Sequence, residues 1–251
     1  MSPRVVAICG KGGVGKTTVA AVLARSLSRQ TERKVLLVDA DPAGGLGLAL
    51  SLPVKRSLNV VRKETIREIK NRETGPKDLA VSLDYRLLEA VTERGNLAFL
   101  SIGRPEEVGC YCPVNTLLRE AIELLAGQFD LTVIDAEAGI EQVNRKVMSA
   151  VHYLVLVSDL SVKGIRVAET IYQVAREVTG QDQAGLLLNR VRSAEEINEV
   201  QARTRLEVIG GIPEDETIRR FDTQELSFFD LPECPAATAI WKAMERLGIL
   251  K

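Results

Sequence analysis

Residues 10–17, Gly-Lys-Gly-Gly-Val-Gly-Lys-Thr, restrict the possible folds of this chain more than any other segment. They match the phosphate-binding loop pattern, in which a glycine, four residues and Gly-Lys precede serine or threonine. The apolar run Val5–Cys9 before the loop predicts a buried parallel strand, and apolar residues at helical spacing between positions 19 and 27 predict a helix after it. A strand, a glycine loop and a helix in this order predict an α/β protein with an anion site.

The loop pattern predicts a nucleotide site with separate tasks for its polar residues. Backbone N–H groups and a helix N-terminus converge on one anion, Lys16 is expected to reach the β- and γ-phosphates, and the Thr17 hydroxyl is expected to bind Mg²⁺. The alternative is a glycine-rich turn that binds nothing, and the lysine, the threonine and both flanking elements argue against it. The predicted nucleotide-binding residues of this segment are Gly12, Gly13, Val14, Gly15, Lys16, Thr17 and Thr18.

Length and composition fit one cytoplasmic domain over residues 1–251. The chain has 251 residues, of which 45% are apolar, and this is enough for a sizeable core. The net charge of −1 gives no bulk electrostatic case for nucleic acid or an anionic membrane as a partner. No apolar run approaches transmembrane length, and the first predicted strand begins too early to leave room for a signal peptide. Four cysteines are too few for a disulfide scaffold in a chain of this length.

Acidic residues follow two further predicted strands. The strand Lys34–Val38 leads into Asp39 and Asp41, and the strand Leu131–Ile134 leads into Asp135. Ligands of open α/β sheets collect at the carboxyl ends of the strands, where acids suit Mg²⁺-bound water and the attacking water. An ordinary polar turn is the alternative for the first pair. The glycine-rich residues 43–47 that follow indicate a mobile segment.

Two cysteines one residue apart, Cys110 and Cys112, precede a predicted helix that begins near Pro113 or Asn115. The helix dipole there favours the thiolate, which is the metal-binding form. Two small buried residues or a redox pair are the alternatives, although a disulfide across one residue is strained. Two thiolates do not fill a four-coordinate soft-metal site, and a second chain is the simplest source of the other two.

The segment Lys11–Thr18 resembles the deviant phosphate-binding loop of the MinD/ParA/nitrogenase-iron-protein ATPases. The resemblance implies a doubly wound, mostly parallel α/β sheet with helices on both faces, and ATP or ADP with Mg²⁺ as cofactors. It implies that Lys11 crosses a dimer interface to the partner's nucleotide. It also implies that Asp41 orients the catalytic water, and that Asp39 and Asp135 hold Mg²⁺ through water. It assigns contacts on the adenine side to Asn189, Pro213 and Asp215; from the residues alone, Asn189 is a turn residue.

The residues around the cysteine pair narrow the resemblance. Gly-Arg-Pro-Glu at 103–106, Gly-Cys-Tyr-Cys at 109–112 and the acidic run 135–141 resemble the CooC group. These are ATPases that assist nickel insertion into carbon monoxide dehydrogenase, with relatives that serve acetyl-CoA synthase. This implies a homodimer formed on ATP or metal binding, with Ni²⁺ or Zn²⁺ at the interface and a client nickel enzyme. A ParA/MinD-type partition or positioning ATPase and an iron–sulfur carrier ATPase are the alternatives, and the residue types do not separate nickel from zinc.

Three further predictions concern the rest of the chain. The charged stretch 56–94 contains helical pieces, whose charges are either solvated or contact a client protein. The tail from 236 to 250 has the apolar spacing of a helix packed on the core, although a membrane-bound helix is the alternative. Cys9, within a predicted strand, and Cys234, between prolines, are expected to be structural.

Overall fold

The structure is a computed structural model that describes residues 4–71, 76–104, 123–136, 151–179 and 183–250. Within these residues, eight strands form one sheet whose first strand enters the phosphate-binding loop. The strands are β1 (Arg4–Gly10), β2 (Val35–Asp39), β3 (Thr92–Arg94), β4 (Leu97–Ser101), β5 (Leu131–Asp135), β6 (Tyr153–Ser158), β7 (Ala184–Val191) and β8 (Val208–Pro213).

The strand order is β3-β4-β2-β5-β1-β6-β7-β8, and all pairs are parallel except the edge pair β3–β4. The fully buried central strands read as continuous apolar runs because helices cover both faces of the sheet. The helices are α1 (Lys16–Gln30), α2 (Gly45–Leu50), α3 (Leu58–Asn71), α4 (Pro76–Ala90), α5 (Val162–Thr179), α6 (Ala194–Gln201), α7 (Glu216–Thr223) and α8 (Pro235–Arg246).

Two apolar cores lie on opposite faces of the sheet. One core contains side chains of α1, α2, α7 and α8, and the other contains side chains of α3, α4, α5 and α6. The alternating strand residues divide between them: Val6 and Ile8 of β1 join the first core, and Val5 and Ala7 join the second. This confirms the predicted doubly wound α/β fold. That residues 1–251 form one domain stays a prediction.

The C-terminal helix packs on the core as predicted. Ile240 and Met244 of α8 are buried against the first core, and Leu247 is partly buried there. No helix within the described ranges is long and apolar enough to span a membrane.

Ion pairs connect the two helices of the charged stretch. Arg56 pairs with Glu64 of α3 and Glu89 of α4, and Arg86 of α4 pairs with Glu68 of α3. These charges therefore hold α3 against α4 instead of serving only as a solvated surface. Because the residues are part-exposed, each pair stabilises the helices by no more than about 1 kcal/mol.

Candidate functional site

The loop after β1 passes so close to its neighbours that side chains would block it. At Gly10, where φ is +155°, a Cβ would collide with the carbonyl oxygen of Val157 in β6. At Gly15, where φ is +96°, a Cβ would lie 2.5 Å from the side-chain nitrogen Nδ2 of Asn189. These contacts give a physical reason for two of the pattern's glycines.

Asn189, at the end of β7, fastens the loop to the sheet. Its Nδ2 donates a hydrogen bond to the Val14 carbonyl at 2.7 Å, and its Oδ1 accepts one from the Arg190 backbone at 2.9 Å. Asn189 therefore fixes the position of the loop, which is a task that sequence reasoning did not assign to it. An asparagine at the carboxyl end of a strand near the loop strand was the only available signal.

Lys16 is the buried cation of the loop. The residue is 8% exposed, and its Nζ donates to the Lys11 carbonyl at 3.2 Å. Lys11 itself is half-buried, and Gly12 and Gly13 are exposed, so the backbone of the loop is accessible to a ligand. A single carbonyl partner leaves the ammonium of Lys16 with further hydrogen-bonding capacity for phosphate oxygens.

Asp135, at the end of β5, is a buried acid without a well-formed partner. Among the described residues, neither of its carboxylate oxygens receives a hydrogen bond of good geometry. Burial raises its pKa to about 7; the Thr17 hydroxyl lies near enough to oppose this, and the charge of Asp39 adds to it. A buried carboxylate without hydrogen-bond partners is costly, which is a reason to expect a cation or its water here.

The donor set at this point fits Mg²⁺ bound together with a nucleotide. The Thr17 hydroxyl and the Asp135 carboxylate lie near each other beside the loop. Both offer oxygen atoms, which are the donors that Mg²⁺ prefers. No group of three or more His, Cys, Asp or Glu side chains in the described ranges is arranged to hold a metal. Mg²⁺ commonly uses one or two protein oxygens together with water and substrate phosphates, so such a small set suffices.

Asp39, at the end of β2, organises the next helix. Its Oδ2 accepts hydrogen bonds from the backbone of Leu46 and Gly47, each at 3.1 Å, and its Oδ1 accepts one from Asp41 at 3.2 Å. Burial nevertheless raises its pKa, because the residue is completely enclosed. The predicted water-mediated Mg²⁺ contact of Asp39 stays a prediction; its observed contacts are to the backbone.

The glycine-rich segment, whose expected mobility stays a prediction, is helical from Gly45. The physical reason is the Asp39 carboxylate, which satisfies two of the orphan N–H groups at the start of α2. A six-residue helix with this composition has little intrinsic stability, so the anchoring acid determines its position.

Asp41 lies in the loop between β2 and α2. Its Oδ1 accepts a hydrogen bond from Ala43 N at 2.8 Å, which forms a local turn, and its Oδ2 accepts none within the described residues. The Arg104 side chain donates to the Pro42 carbonyl at 3.3 Å, so the chain after β4 contacts the same loop. The geometry leaves one Asp41 oxygen for a water molecule.

A cavity of about 700 Å³ adjoins the other side of the loop. Five predicted nucleotide-binding residues line it together: Gly15, Thr18, Asn189, Pro213 and Asp215. Its size suits a nucleoside.

The Asp215 carboxylate at this cavity already has protein partners. Its Oδ1 accepts from Thr217 N at 2.9 Å, which caps α7, and its Oδ2 accepts from Ala236 N at 3.2 Å in α8. Burial raises the pKa of Asp215, but these hydrogen bonds outweigh it and the pKa lies below its ordinary value. The acid therefore joins two helices at the cavity wall.

The cysteines fall into two groups. Cys110 and Cys112 lie outside the described residues, as does the acidic run from 137 to 141. Cys9 and Cys234 are buried free thiols, as predicted, and burial raises the pKa of Cys9 to about 12. His152, the only histidine of the chain, accepts a hydrogen bond from Val5 N at its Nδ1.

Comparison with known proteins agrees with this arrangement of loop, acids and cavity. Residues 5–228 match the CobQ/CobB/MinD/ParA nucleotide-binding domain. The chain belongs to this family. It is accordingly an ATP-binding protein and an ATPase of the P-loop class, and its fold is that of MinD and ParA.

Individual relatives span nearly the whole chain. An uncharacterised ATP-binding protein of Methanocaldococcus jannaschii is 32% identical over 250 residues, which cover 97% of this chain and 96% of that one. The carbon monoxide dehydrogenase accessory protein CooC of Rhodospirillum rubrum is 30% identical over 257 residues, covering 97% of each. In structure, the septum site-determining protein MinD of Pyrococcus horikoshii, complexed with Mg-ADP, has a TM-score of 0.68 at 24% identity and covers 98% of this chain and 96% of that one.

Proposed function

We propose that this ATPase is a dimeric metallochaperone that delivers Ni²⁺ to an enzyme of the carbon monoxide dehydrogenase or acetyl-CoA synthase type. The observation that carries the proposal is Cys-Tyr-Cys at 110–112, in a chain related over 97% of its length to a carbon monoxide dehydrogenase accessory protein. Two thiolates one residue apart suit a soft or borderline metal such as Ni²⁺ or Zn²⁺.

The ATP-dependent half of the proposal uses the loop and the acids. Lys16 holds the β- and γ-phosphates. Thr17 binds Mg²⁺ directly, and Asp135 holds it through a water molecule. Asp41 orients the attacking water. Bound Mg²⁺ would neutralise phosphate charge. The unpartnered carboxylate of Asp135 and the open Oδ2 of Asp41 support these roles. Asn189, Pro213 and Asp215 form the wall against which the base lies.

The dimer is proposed from two incomplete sites. Lys11 is half-buried at the edge of the loop, where it is available to a partner's nucleotide. One chain offers two thiolates, whereas a tetrahedral soft-metal site needs four. A two-fold axis supplies the missing groups in both cases, because each chain extends its Lys11 to the partner's nucleotide and adds its own thiolate pair to the shared metal site.

Contacts between the loop after β2, which contains Asp41 and Pro42, and the chain at the end of β4, which leads towards the cysteines, support coupling of the two sites. Asp39 of β2 pairs with Ser101 of β4, and Ile102 N donates to the Asp39 carbonyl at 2.9 Å. Arg104 then contacts the Pro42 carbonyl. A change in this loop on nucleotide binding would therefore displace the chain a few residues before Cys110.

Metal titration combined with mass in solution tests the proposal. We expect one Ni²⁺ per two chains, and metal-induced dimerisation in the absence of nucleotide. Cys110→Ser and Cys112→Ser should each lose both effects and keep ATP binding, because the loop is intact. Cys234→Ser is the matched control, since a buried thiol at the start of α8 should have no part in metal binding.

Two results would contradict this design. One tightly bound metal per monomer would rule out a site shared between two chains. Undiminished binding in the double serine variant would rule out the cysteines as metal ligands.

Lys11→Gln tests the nucleotide half of the proposal separately. The variant should keep ATP binding and lose ATP-induced dimerisation and hydrolysis. A Lys11 variant that dimerises and hydrolyses normally would remove the contact in trans.

A positioning ATPase of the MinD/ParA type is the second candidate, favoured by the family match itself. Such a protein would need a surface-binding element, but the C-terminal helix α8 has its apolar residues packed in the core. Retention on anionic lipid vesicles or DNA only when ATP is present, together with wild-type behaviour of the cysteine variants, would favour this candidate.

A further inference from the structure

A second cavity, of about 720 Å³, lies next to the cavity that is lined by Asn189, Pro213 and Asp215. The two share Thr18 and Asp222 as a common border. Leu52, Phe221 and Phe228 contribute apolar walls. The cavity has the size and apolar character of a binding pocket. Thr17 and Thr18 border it, whereas the acids of the proposed hydrolysis mechanism do not.

The rim of this second cavity exposes large apolar side chains. Leu48 of α2 is 77% exposed and Leu226, after α7, is 40% exposed, and both border the cavity. Exposed apolar side chains at the rim of an apolar recess form a continuous surface that another protein can cover.

The charged residues that border this cavity are Asp222 and Glu225, and both are acidic. An occupant that brought a carboxylate here would meet repulsion from both, whereas a lysine or arginine would be attracted. Charge and shape together therefore select a segment that places an apolar side chain beside a basic one.

The backbone beside the cavity adopts an uncommon conformation. Ser51, the C-cap of α2, and Glu225, just after α7, have φ values of 53° and 51°, and both border the cavity. Left-handed residues commonly end helices, so these two positions fix where α2 and α7 stop beside the cavity.

The helix α2 connects this cavity with the magnesium side of the loop. Asp39 holds the backbone of Leu46 and Gly47, and a methyl group placed on Gly45 would lie 3.4 Å from Thr17 Cγ2. Leu48 projects from the same short helix. A shift of α2 on binding of Mg²⁺ and nucleotide would therefore reshape the rim.

We propose that the second cavity is a docking site for a segment of a partner protein, which inserts an apolar side chain and places a lysine or arginine beside Asp222 and Glu225. The nucleotide state sets the affinity through α2. The proposal goes beyond the metallochaperone function and does not depend on metal binding.

Two synthetic peptides test the required chemistry: capped Ala-Lys-Phe-Leu-Lys-Ala and its counterpart with glutamate in place of both lysines. Amide chemical shifts of Gly45, Gly47 and Leu226 report occupancy of the cavity in isotope-labelled protein with Mg-ADP. We expect the basic peptide to shift these signals and the acidic peptide to bind at least about tenfold more weakly. Equal binding of the two, or no shift of these signals with the basic peptide, would overturn the proposal.

Paired variants locate the site. Glu225→Gln should reduce the preference for the basic peptide, and the control Glu177→Gln, an exposed acid of α5, should leave it unchanged. Leu48→Ser should weaken binding, whereas Leu124→Ser, a similarly exposed leucine outside the cavity, should not. Equal effects of target and control variants would show that the peptide binds elsewhere.

A nucleotide series tests the coupling. The affinity of the basic peptide should differ between nucleotide-free and Mg-ADP-bound protein, and the affinity for Mg-ADP should change by the same factor when the peptide is present. Identical affinity in both states would remove the coupling. Protection of the same amides on dimerisation alone would assign the cavity to a second copy of this chain and overturn the choice of partner.

Discussion

The phosphate side and the base side of the nucleotide site satisfy their polar groups differently. On the phosphate side, within the part of the chain that the structure describes, Asp135 is buried without a well-formed hydrogen bond and Lys16 donates to a loop carbonyl. On the base side, the polar atoms of Asn189 and Asp215 bind the protein's own backbone. The polar groups of the phosphate side lack partners until Mg²⁺ and phosphates bind, whereas those of the base side already have partners in the protein. Substitutions should therefore affect ligand chemistry on the first side and geometry on the second.

Removal of the loop cation should have the largest effect. Lys16→Ala is expected to weaken ATP binding by at least about 10²-fold, because charge-assisted hydrogen bonds to the phosphates are lost. Isothermal titration calorimetry measures this. Lys34→Ala, an exposed lysine just before β2, is the control and should bind normally. Unchanged affinity in the Lys16 variant would mean that the phosphate side is not the site.

Asp41→Ala should separate binding from hydrolysis. We expect ATP affinity to change little and turnover to fall by about 10²-fold, because the attacking water loses its partner. Asp41→Asn keeps an acceptor for the Ala43 turn, so a similar loss in both variants would assign the effect to the charge. Single-turnover hydrolysis measures it, and a loss below about threefold would remove the role of Asp41.

The buried acid Asp135 predicts a pH dependence of stability for the nucleotide-free protein. Its pKa rises from 3.8 to about 7 on folding, so the folded state binds the proton more tightly than the unfolded state. The resulting contribution to the free energy of unfolding is fully present below pH 3.8 and is lost as the pH rises through about 7. In this range it falls by at most about 1.4 kcal/mol per pH unit.

Urea unfolding at several pH values measures this slope. Asp135→Asn should flatten it, whereas Glu32→Gln, an exposed acid, should leave it unchanged. Saturating Mg-ADP should also flatten it, because Mg²⁺ favours the carboxylate. A slope that is identical in the parent and the Asp135 variant would show that this side is not electrostatically incomplete.

Asn189→Ala should have the smallest effect of the series. Loss of its hydrogen bond to the Val14 carbonyl should weaken ADP binding by about fivefold, since one such bond contributes about 1 kcal/mol. Asn198→Ala, exposed on α6, is the control. A loss of affinity as large as that of Lys16→Ala would mean that Asn189 binds the nucleotide directly and does not only position the loop. The contrast between the two sides would then be wrong.

The sheet and most of the loop could be predicted because their signals are local. A glycine pattern between an apolar strand and a helical period specifies strand, turn and helix within a short stretch of chain. The anchoring of α2 by Asp39 was missed because glycine-rich sequence indicates only that the backbone is permissive. A carboxylate several residues away then decides which conformation forms. The Asn189–Val14 contact joins residues 175 positions apart, and the second cavity requires α2 to meet the segment after α7.

The most direct test of the whole account is the affinity for Ni²⁺ with and without a non-hydrolysable ATP analogue and Mg²⁺. The account predicts that the analogue changes the affinity, and that Ni²⁺ changes the affinity for the analogue by the same factor. Arg104→Ala should reduce this factor, because it removes the contact with the Pro42 carbonyl. Equal Ni²⁺ affinity in both nucleotide states, in a protein that binds both ligands, would contradict the proposal that ATP controls metal delivery.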